Sequence, residues 1–181
     1  MRQKIILSQL LGFAVTSLLG TVLHFLYEWL GAPVWIAPFS AINESTWEHM
    51  KLLFWPMLIF AAVQSSFFRE RSDFACIKTR GIVLGLILIP VLFYTYNGVI
   101  GKSPDWINIA IFFITAAAVY IYEAILLSRG IECEYPKLAI TVLFTLSVLF
   151  AVFTFFTPDL GIFRAPSADA RGVSYLFMEI S

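Results

Sequence analysis

Charged residues are scarce in this chain of 181 residues, where Asp, Glu, Lys and Arg together make up 13%. A soluble domain carries about 25% charged residues and about 45–50% apolar ones, whereas 60% of this chain is hydrophobic. The formal net charge is zero, so no basic excess points to a nucleic acid as partner. The composition predicts a single integral membrane domain, residues 1–181, whose partner is the lipid bilayer.

Recognisable catalytic signatures are also missing. The chain has no serine-nucleophile motif, no phosphate-binding loop, no cofactor fingerprint and no H-E-x-x-H sequence of the metalloprotease type. Its two cysteines, Cys76 and Cys133, lack metal-ligand spacing. Both fall in loops on the predicted cytoplasmic side, where thiols stay reduced. We therefore expect two free thiols and no disulfide.

Five hydrophobic stretches are long enough to span a bilayer, which takes about 20 mostly apolar residues. In lipid the backbone must satisfy its own hydrogen bonds, so each stretch is predicted to be an α-helix. The expected fold is all-α, a polytopic membrane helix bundle with about five transmembrane helices. The predicted spans are residues 5–27, 47–68, 81–99, 105–127 and 138–157, and a tail covers 158–181.

The connection between the first two helices is apolar but short. Residues 31–42 include Pro33 and Pro38, which break a regular helix, and about 12 residues are too few to cross a bilayer. We expect an interfacial or re-entrant segment. It would either cover the neighbouring polar residues or rest on the lipid headgroups.

Lysine and arginine divide unequally between the two ends of the predicted bundle. The end that holds the N-terminus and the loops after helices two and four carries eight of them, and the other end carries four. Cytoplasmic loops are enriched in these residues. The count predicts a cell-membrane protein with its N-terminus inside and its C-terminus outside.

The polar chemistry is concentrated at the predicted outer end of helices one and two. Both histidines of the chain, His24 and His49, lie there with Glu28, Glu44 and Glu48. Ionisable groups at membrane depth are costly and commonly mark a functional site. His24 and Glu28, four residues apart, share a helix face, and so do Glu44 and Glu48.

Two imidazoles and two or three carboxylates suit a divalent metal such as Zn, Fe or Mn. The candidate metal ligands are therefore His24, Glu28, Glu44, Glu48 and His49. A catalytic zinc commonly keeps one open position for a water molecule, whose lowered pKa makes it a nucleophile. Without a metal, Glu48, His49 and Glu28 are the candidates for acid–base catalysis.

The same residues also have a purely structural interpretation. Ser45-Thr46-Trp47-Glu48 matches the S/T-x-x-E/Q capping box that begins many helices. Asn43 is a second good N-cap residue, and Lys51 stands where it could neutralise Glu48. Capping alone would explain these residues, but not why His24 and Glu28 converge on the same end.

Other polar residues lie outside this cluster. Asn108, near the start of helix four, would complete a polar pocket at the outer end. Glu123 lies near the inner end of the same helix, where Arg80 or Arg129 is its expected partner. In the tail, Arg164 and Arg171 are expected to fold back toward the carboxylates.

The run Asn43-Glu-Ser-Thr-Trp-Glu-His49, preceded by His24-x-x-x-Glu28, resembles a family of small integral membrane proteins of Gram-positive bacteria. That family carries the motif N-E-S-x-W-E-H, and its function is unknown. The resemblance covers nearly the whole chain, including a looser match in the tail. It implies a multi-pass helical protein and directs attention to the same histidines and glutamates, but it implies no activity.

Three functions remain open from the sequence. One is a membrane hydrolase or transferase that acts on a lipid-like substrate at the outer leaflet. The second is a small transporter or ion-binding protein, which would favour polar groups near the bilayer midplane. The third is an assembly partner for another membrane protein, for which Gly81-x-x-x-Gly85 is a weak packing motif. The oligomeric state has no signal in the sequence.

Overall fold

The computed structural model describes residues 2–100 and 105–165. This part of the chain forms five long α-helices and one short 3₁₀ turn, with no β-strand among the described residues. The predicted all-α bundle is confirmed. The helices are α1 (Arg2–Trp29), α2 (Thr46–Ser65), α3 (Phe74–Ile100), α4 (Asp105–Arg129) and α5 (Pro136–Phe155), followed by the 3₁₀ turn Gly161–Phe163.

Helices α1, α2, α3 and α4 form a closed ring in which each packs on the next, and α5 packs outside the ring on α3. Helices α1 and α2 run antiparallel along most of their length. At one end Lys4 donates a 2.8 Å hydrogen bond to the carbonyl of Phe67, and at the other the rings of His24 and His49 are 5.6 Å apart. Consecutive helices thus alternate in direction, as expected for short connections.

Four of the five helices, α1, α3, α4 and α5, are long and apolar enough to cross a membrane. Helix α2 is the exception, because its first turns carry Glu48, His49 and Lys51. Other helices nevertheless pack against it, and residues such as Leu53, Phe54 and Met57 are fully buried. Its charged residues Glu48 and Lys51 are buried as well and are therefore shielded from lipid by the rest of the bundle.

Helix α3 begins seven residues before the predicted start at residue 81. The sequence around Lys78 and Arg80 was expected to be a loop because it is charged. Lys78 is instead buried within the first turns of α3, where its Nζ lies 2.5 Å from Glu123 Oε2 on α4. The expectation that Glu123 pairs with Arg80 or Arg129 was wrong.

The expected free thiols were also wrong. Cys76 and Cys133 are joined by a disulfide, with their Cα atoms 5.9 Å apart. The early start of α3 places Cys76 in its first turn, beside the segment that connects α4 to α5. The prediction used the cellular compartment alone and took no account of this geometry.

Gly81 and Gly85 face the interior of the bundle rather than an outside partner. A Cβ atom at Gly81 would lie 2.2 Å from Glu123 Oε1, and one at Gly85 would lie 2.6 Å from Leu53 Cδ2. The two glycines let α3 approach α4 and α2 closely. The expected assembly motif is therefore used within the chain.

Candidate metal centre

The connection between α1 and α2 folds back onto the helix ends instead of forming a helix. Gly31 and Ala32 have positive φ values of 78° and 59°, so the chain reverses direction directly after α1. Ser40 is buried, its hydroxyl donates to the carbonyl of Leu23, and it accepts from the backbone N–H of Tyr27 at 3.0 Å. The connection is thereby attached to the last turns of α1.

Helix α2 begins with the predicted cap. The hydroxyl of Ser45 accepts a hydrogen bond from the backbone N–H of Glu48 at 3.3 Å, and Asn43 Oδ1 accepts from the backbone N–H of Ser45 at 2.8 Å. Glu48 Oε2 accepts from the backbone N–H of Ile42 at 3.0 Å. The Glu48 carboxylate thus binds the backbone at Ile42, ahead of the cap residue Ser45, and holds in place the residues that precede α2.

Glu48 lies outside the histidine cluster. Its Oε2 is 2.7 Å from Lys51 Nζ, and both side chains are buried. Lys51 also donates to the carbonyl of Ala37 at 2.8 Å and to Thr154 Oγ1 on α5 at 3.0 Å. A buried charge is tolerated when it is paired and hydrogen-bonded, and this pair joins the connection, α2 and α5.

Three of the five predicted metal ligands come together. His24 from α1, His49 from α2 and Glu44 from the connection each offer one ligand atom, and these atoms lie within 4.8 Å of one another. Glu44 Oε1 is 3.8 Å from His24 Nε2, and Glu44 Oε2 is 3.6 Å from His49 Nε2. Glu28 is exposed at the end of α1 and is not part of this group.

These separations approach those of ligands that share one metal ion. Tetrahedral zinc with bonds of about 2.0–2.2 Å places its ligand atoms about 3.4 Å apart. Two of the separations exceed this by only a few tenths of an ångström. Because 59% of the Glu44 side chain is exposed, it has room to rotate. The third separation, between the two imidazole nitrogens, is within 4.8 Å, so one imidazole must also shift for the three groups to share a tetrahedral ion.

The protonation of His49 is set by its neighbour in the helix. His49 Nδ1 lies 2.9 Å from the carbonyl oxygen of Ser45, which can only accept a hydrogen bond. Nδ1 therefore carries the hydrogen, and a neutral His49 has its lone pair on Nε2, the atom nearest to Glu44. Metal-binding histidines are commonly oriented in this way by a backbone carbonyl.

A cavity of about 150 Å³ lies beside the two histidines, between α1, α2 and α4. Leu52 and Phe112 form part of its buried wall, and the polar side chains that line it include His24, His49 and Asn108. Phe25 and Ile109, also in the lining, are 41% and 53% exposed. The cavity therefore opens on the exposed surface of the bundle at Phe25 and Ile109 and reaches inward to the two histidines.

The tail packs against the same end of the bundle without reaching the carboxylates. Phe163 lies on Trp47 with ring centroids 4.7 Å apart. Arg164 pairs with Asp159 at 2.6 Å, and both side chains are exposed. The expectation that Arg164 meets the carboxylates of the cluster was therefore wrong, and Arg171 lies outside the described residues.

Comparison with known protein families agrees with the expectation of a family whose function is unknown. The model of a family of unknown function (DUF6512) matches residues 2–173. The chain belongs to this family. No curated protein and no solved structure matches the chain. The family gives no reaction or ligand to transfer, so any function must be argued from the residues of the site.

Proposed function

We propose that this protein is a metal-dependent membrane enzyme, a hydrolase or transferase that acts on a lipid-like substrate. His24, His49 and Glu44 are the proposed ligands of one divalent ion, with zinc, iron and manganese as the candidates. The observation that carries the proposal is the convergence of these three ligand atoms within 4.8 Å, next to a cavity with a largely apolar wall.

Three protein ligands leave a coordination position for water, which is typical of catalytic rather than structural zinc sites. The ion would lower the pKa of that water toward about 7 and supply a hydroxide nucleophile. Two histidines with one carboxylate are also compatible with iron. In this proposal Glu48 has a structural role, through Lys51 and Ile42, and Glu28 is not a ligand.

The location of the site suits a substrate that is dissolved in the membrane. His24 lies five residues before the end of α1 at Trp29, which corresponds to about 8 Å along the helix. With the end of α1 at the surface of the headgroup layer, this depth is close to the boundary between headgroups and hydrocarbon. We further propose that the protein resides in a bacterial cytoplasmic membrane, with its N-terminus inside and the metal centre at the outer leaflet.

Metal content measured by mass spectrometry on the purified full-length chain, after loading with each ion separately, tests the proposal. The wild type should hold a single equivalent of one of these ions. His24→Ala, His49→Ala and Glu44→Gln should each lose it, and combining two of them should cause no further loss, because ligands of one ion act as a unit.

Glu28→Gln is the matched control, because Glu28 is also exposed at this end of the bundle but lies outside the cluster. It should retain the ion. A wild type that binds no more metal than Glu44→Gln would overturn the proposed centre.

Ion or proton transport is a second candidate function, favoured by one observation. Glu123 Oε1, Gln64 Oε1 and both amide atoms of Gln9 are buried without hydrogen-bond partners among the described residues. Buried groups of this kind are usually satisfied by internal water, and water inside a bundle is needed for proton movement. Proton uptake by proteoliposomes that contain wild type but not Glu123→Gln would favour this function over the enzyme.

A further inference from the structure

The cavity beside the histidines contains two polar atoms that lack partners. His24 Nδ1 and Asn108 Oδ1 are both buried, and neither has a hydrogen-bond partner among residues 2–100 and 105–165. Both side chains line the same cavity. Leaving a buried polar atom unsatisfied is unfavourable, so a ligand that pairs with both atoms gains affinity from each of them.

The two atoms differ in their hydrogen-bonding character. If His24 binds an ion through Nε2, its Nδ1 carries the hydrogen and donates. The carboxamide oxygen of Asn108 only accepts. A hydroxyl group can accept from the first and donate to the second. A methyl ether can accept but has no hydrogen to donate, so the pair of atoms selects an alcohol over an ether.

The size of the cavity limits the rest of the ligand. A protein cavity of about 150 Å³ holds a group the size of benzene, and this cavity has about that volume. A hydroxyl with its first few methylene groups fits, whereas a phospholipid headgroup with two chains does not. Phe25 and Ile109 on the exposed side would then contact the remainder of one chain where it leaves the cavity for the bilayer.

We propose that the cavity binds the hydroxyl end of a single-chain amphiphile, a long-chain alcohol or a monoacyl lipid, and that Asn108 selects for the hydroxyl. The ligand enters from the bilayer between α1 and α4. This rests on the proposed function in that it names the substrate class of the same site. Donation of the hydroxyl to Asn108 Oδ1 does not depend on the tautomer of His24, so selection by Asn108 does not require the ion to be present.

The test is photolabelling of the full-length protein in phosphatidylcholine nanodiscs, with a long-chain primary alcohol that carries a diazirine next to its hydroxyl end. The matching methyl ether is the second probe. Peptide mass spectrometry should place the alcohol on residues 20–25 and 106–113. Labelling by the ether should be at least about fivefold weaker, as expected for the loss of a buried hydrogen bond.

Two variants and one control define the site. Asn108→Leu keeps the size of the side chain and should reduce labelling by the alcohol to the level of the ether. Ile109→Trp should reduce labelling by both probes, because it fills the exposed side of the cavity. Ile114→Trp is the control, since Ile114 lies on the same helix and is 59% exposed but does not line the cavity.

Labelling should persist in the presence of a chelator and in Glu44→Gln. If alcohol and ether label equally, or if Asn108→Leu has no effect, the inference is overturned while the metal centre is untouched. If labelling follows the expected pattern but the wild type holds no metal, the amphiphile site stands and the proposed enzyme function fails.

Discussion

Lys51 Nζ lies 2.7 Å from Glu48 Oε2, and 0% and 3% of the two side chains are exposed. This pair explains why two consecutive residues, Glu48 and His49, have different partners. The carboxylate of Glu48 is used to neutralise a buried lysine and to hold Ile42. The imidazole of His49 is left free to approach Glu44.

Glu48→Gln should destabilise the protein by about 3–5 kcal/mol, because removing one member of a buried ion pair leaves the other uncompensated. Replacing both residues, as in Glu48→Gln with Lys51→Met, should recover part of that loss. The measurement is chemical unfolding in detergent at neutral pH. The metal content of the folded fraction should not change in either variant.

Glu28→Gln serves as the matched control, because Glu28 is exposed and forms no buried ion pair within the part of the chain that the structure describes. It should leave the free energy of unfolding unchanged. A different outcome would contradict the assignment of Glu48 to structure. If Glu48→Gln is as stable as Glu28→Gln but loses the bound ion, Glu48 is a ligand.

The glycine at the buried Lys78–Glu123 pair leads to a second prediction. Gly81→Ala places a methyl group 2.2 Å from Glu123 Oε1, so the carboxylate must move away from Lys78. We expect a loss of about 1–3 kcal/mol in the free energy of unfolding, as in other overpacked interiors. Thermal unfolding in detergent measures it.

Gly98→Ala is the matched control on the same helix. Apart from its neighbours along the helix, no atom of residues 2–100 and 105–165 lies within 4 Å of a Cβ placed there, and alanine favours a helix over glycine by up to about 1 kcal/mol. This variant should be neutral or slightly stabilised. Equal stability of the two alanine variants would show that the contact with Glu123 is not tight.

Apolar runs bounded by polar or turn-forming residues predicted the existence of all five helices, although the run of α2 is interrupted by Glu48, His49 and Lys51 and this helix alone is not among those apolar enough to cross a membrane. The start of α3 was missed because Lys78 and Arg80 resemble loop charges. Lys78 is buried through an ion pair with Glu123, 45 residues away, and no local pattern reveals such a partner. The cysteine pair was missed because the expectation of free thiols rested on the predicted compartment alone.

The candidate site was only partly predictable. Both histidines and Glu44 were identified from their clustering at one end of the bundle, and the cap at Ser45 from its spacing. Glu28 and Glu48 have the same residue type and similar positions, so the sequence did not separate them from Glu44. Which glutamate joins the histidines depends on how the connection between α1 and α2 folds back. This fold brings Glu44 between the two histidines.

Asp73, in the loop between α2 and α3, should make the free energy of unfolding vary with pH in the acidic range. Arg71 Nε donates to Asp73 Oδ1 at 2.8 Å, and the backbone N–H of Ile131 donates to Asp73 Oδ2 at 3.2 Å. The hydrogen bonds from Arg71 hold the pKa of Asp73 below its usual value, despite the opposing effect of burial. The charged carboxylate thus joins this loop to the end of α4.

A depressed pKa in the folded state means that the contribution of Asp73 is complete above its unfolded pKa of about 3.9 and is lost as the pH falls through the folded value. Asp73→Asn should therefore cost about 1–3 kcal/mol at pH 7. The difference in free energy of unfolding between Asp73→Asn and wild type should shrink below about pH 4, where the Asp73 carboxyl of the unfolded wild-type chain begins to take up a proton. Thermal unfolding across this range measures it.

Asp159→Asn is the control for this series, because Asp159 also pairs with an arginine but is 85% exposed. Exposed pairs contribute little, so this variant should follow the wild type at every pH. A gap between Asp73→Asn and wild type that stays constant down to pH 2 would rule out the carboxylate as the titrating group.

The orientation in the membrane is the last prediction. Most lysine and arginine residues lie at the end of the bundle that carries the loop between α2 and α3, which predicts that this end faces the cytoplasm. The native cysteines are unsuitable reporters because they are bonded to each other. The experiment therefore uses a chain with Cys76→Ser and Cys133→Ser, and one new cysteine at an exposed position on either side, Glu70→Cys or Asp159→Cys.

In intact cells, a membrane-impermeant thiol reagent should label Asp159→Cys, and it should label Glu70→Cys only after the membrane is permeabilised. The parent chain without cysteine is the background control. Labelling of Glu70→Cys from outside would show that the orientation is opposite to the predicted one. It would also place the Cys76–Cys133 disulfide in an oxidising compartment, where such bonds persist, and would move the proposed metal centre to the inner leaflet. The predicted pattern instead places the disulfide on the cytoplasmic side, where such bonds are rare, so the lysine and arginine count and the disulfide favour opposite orientations and the labelling decides between them.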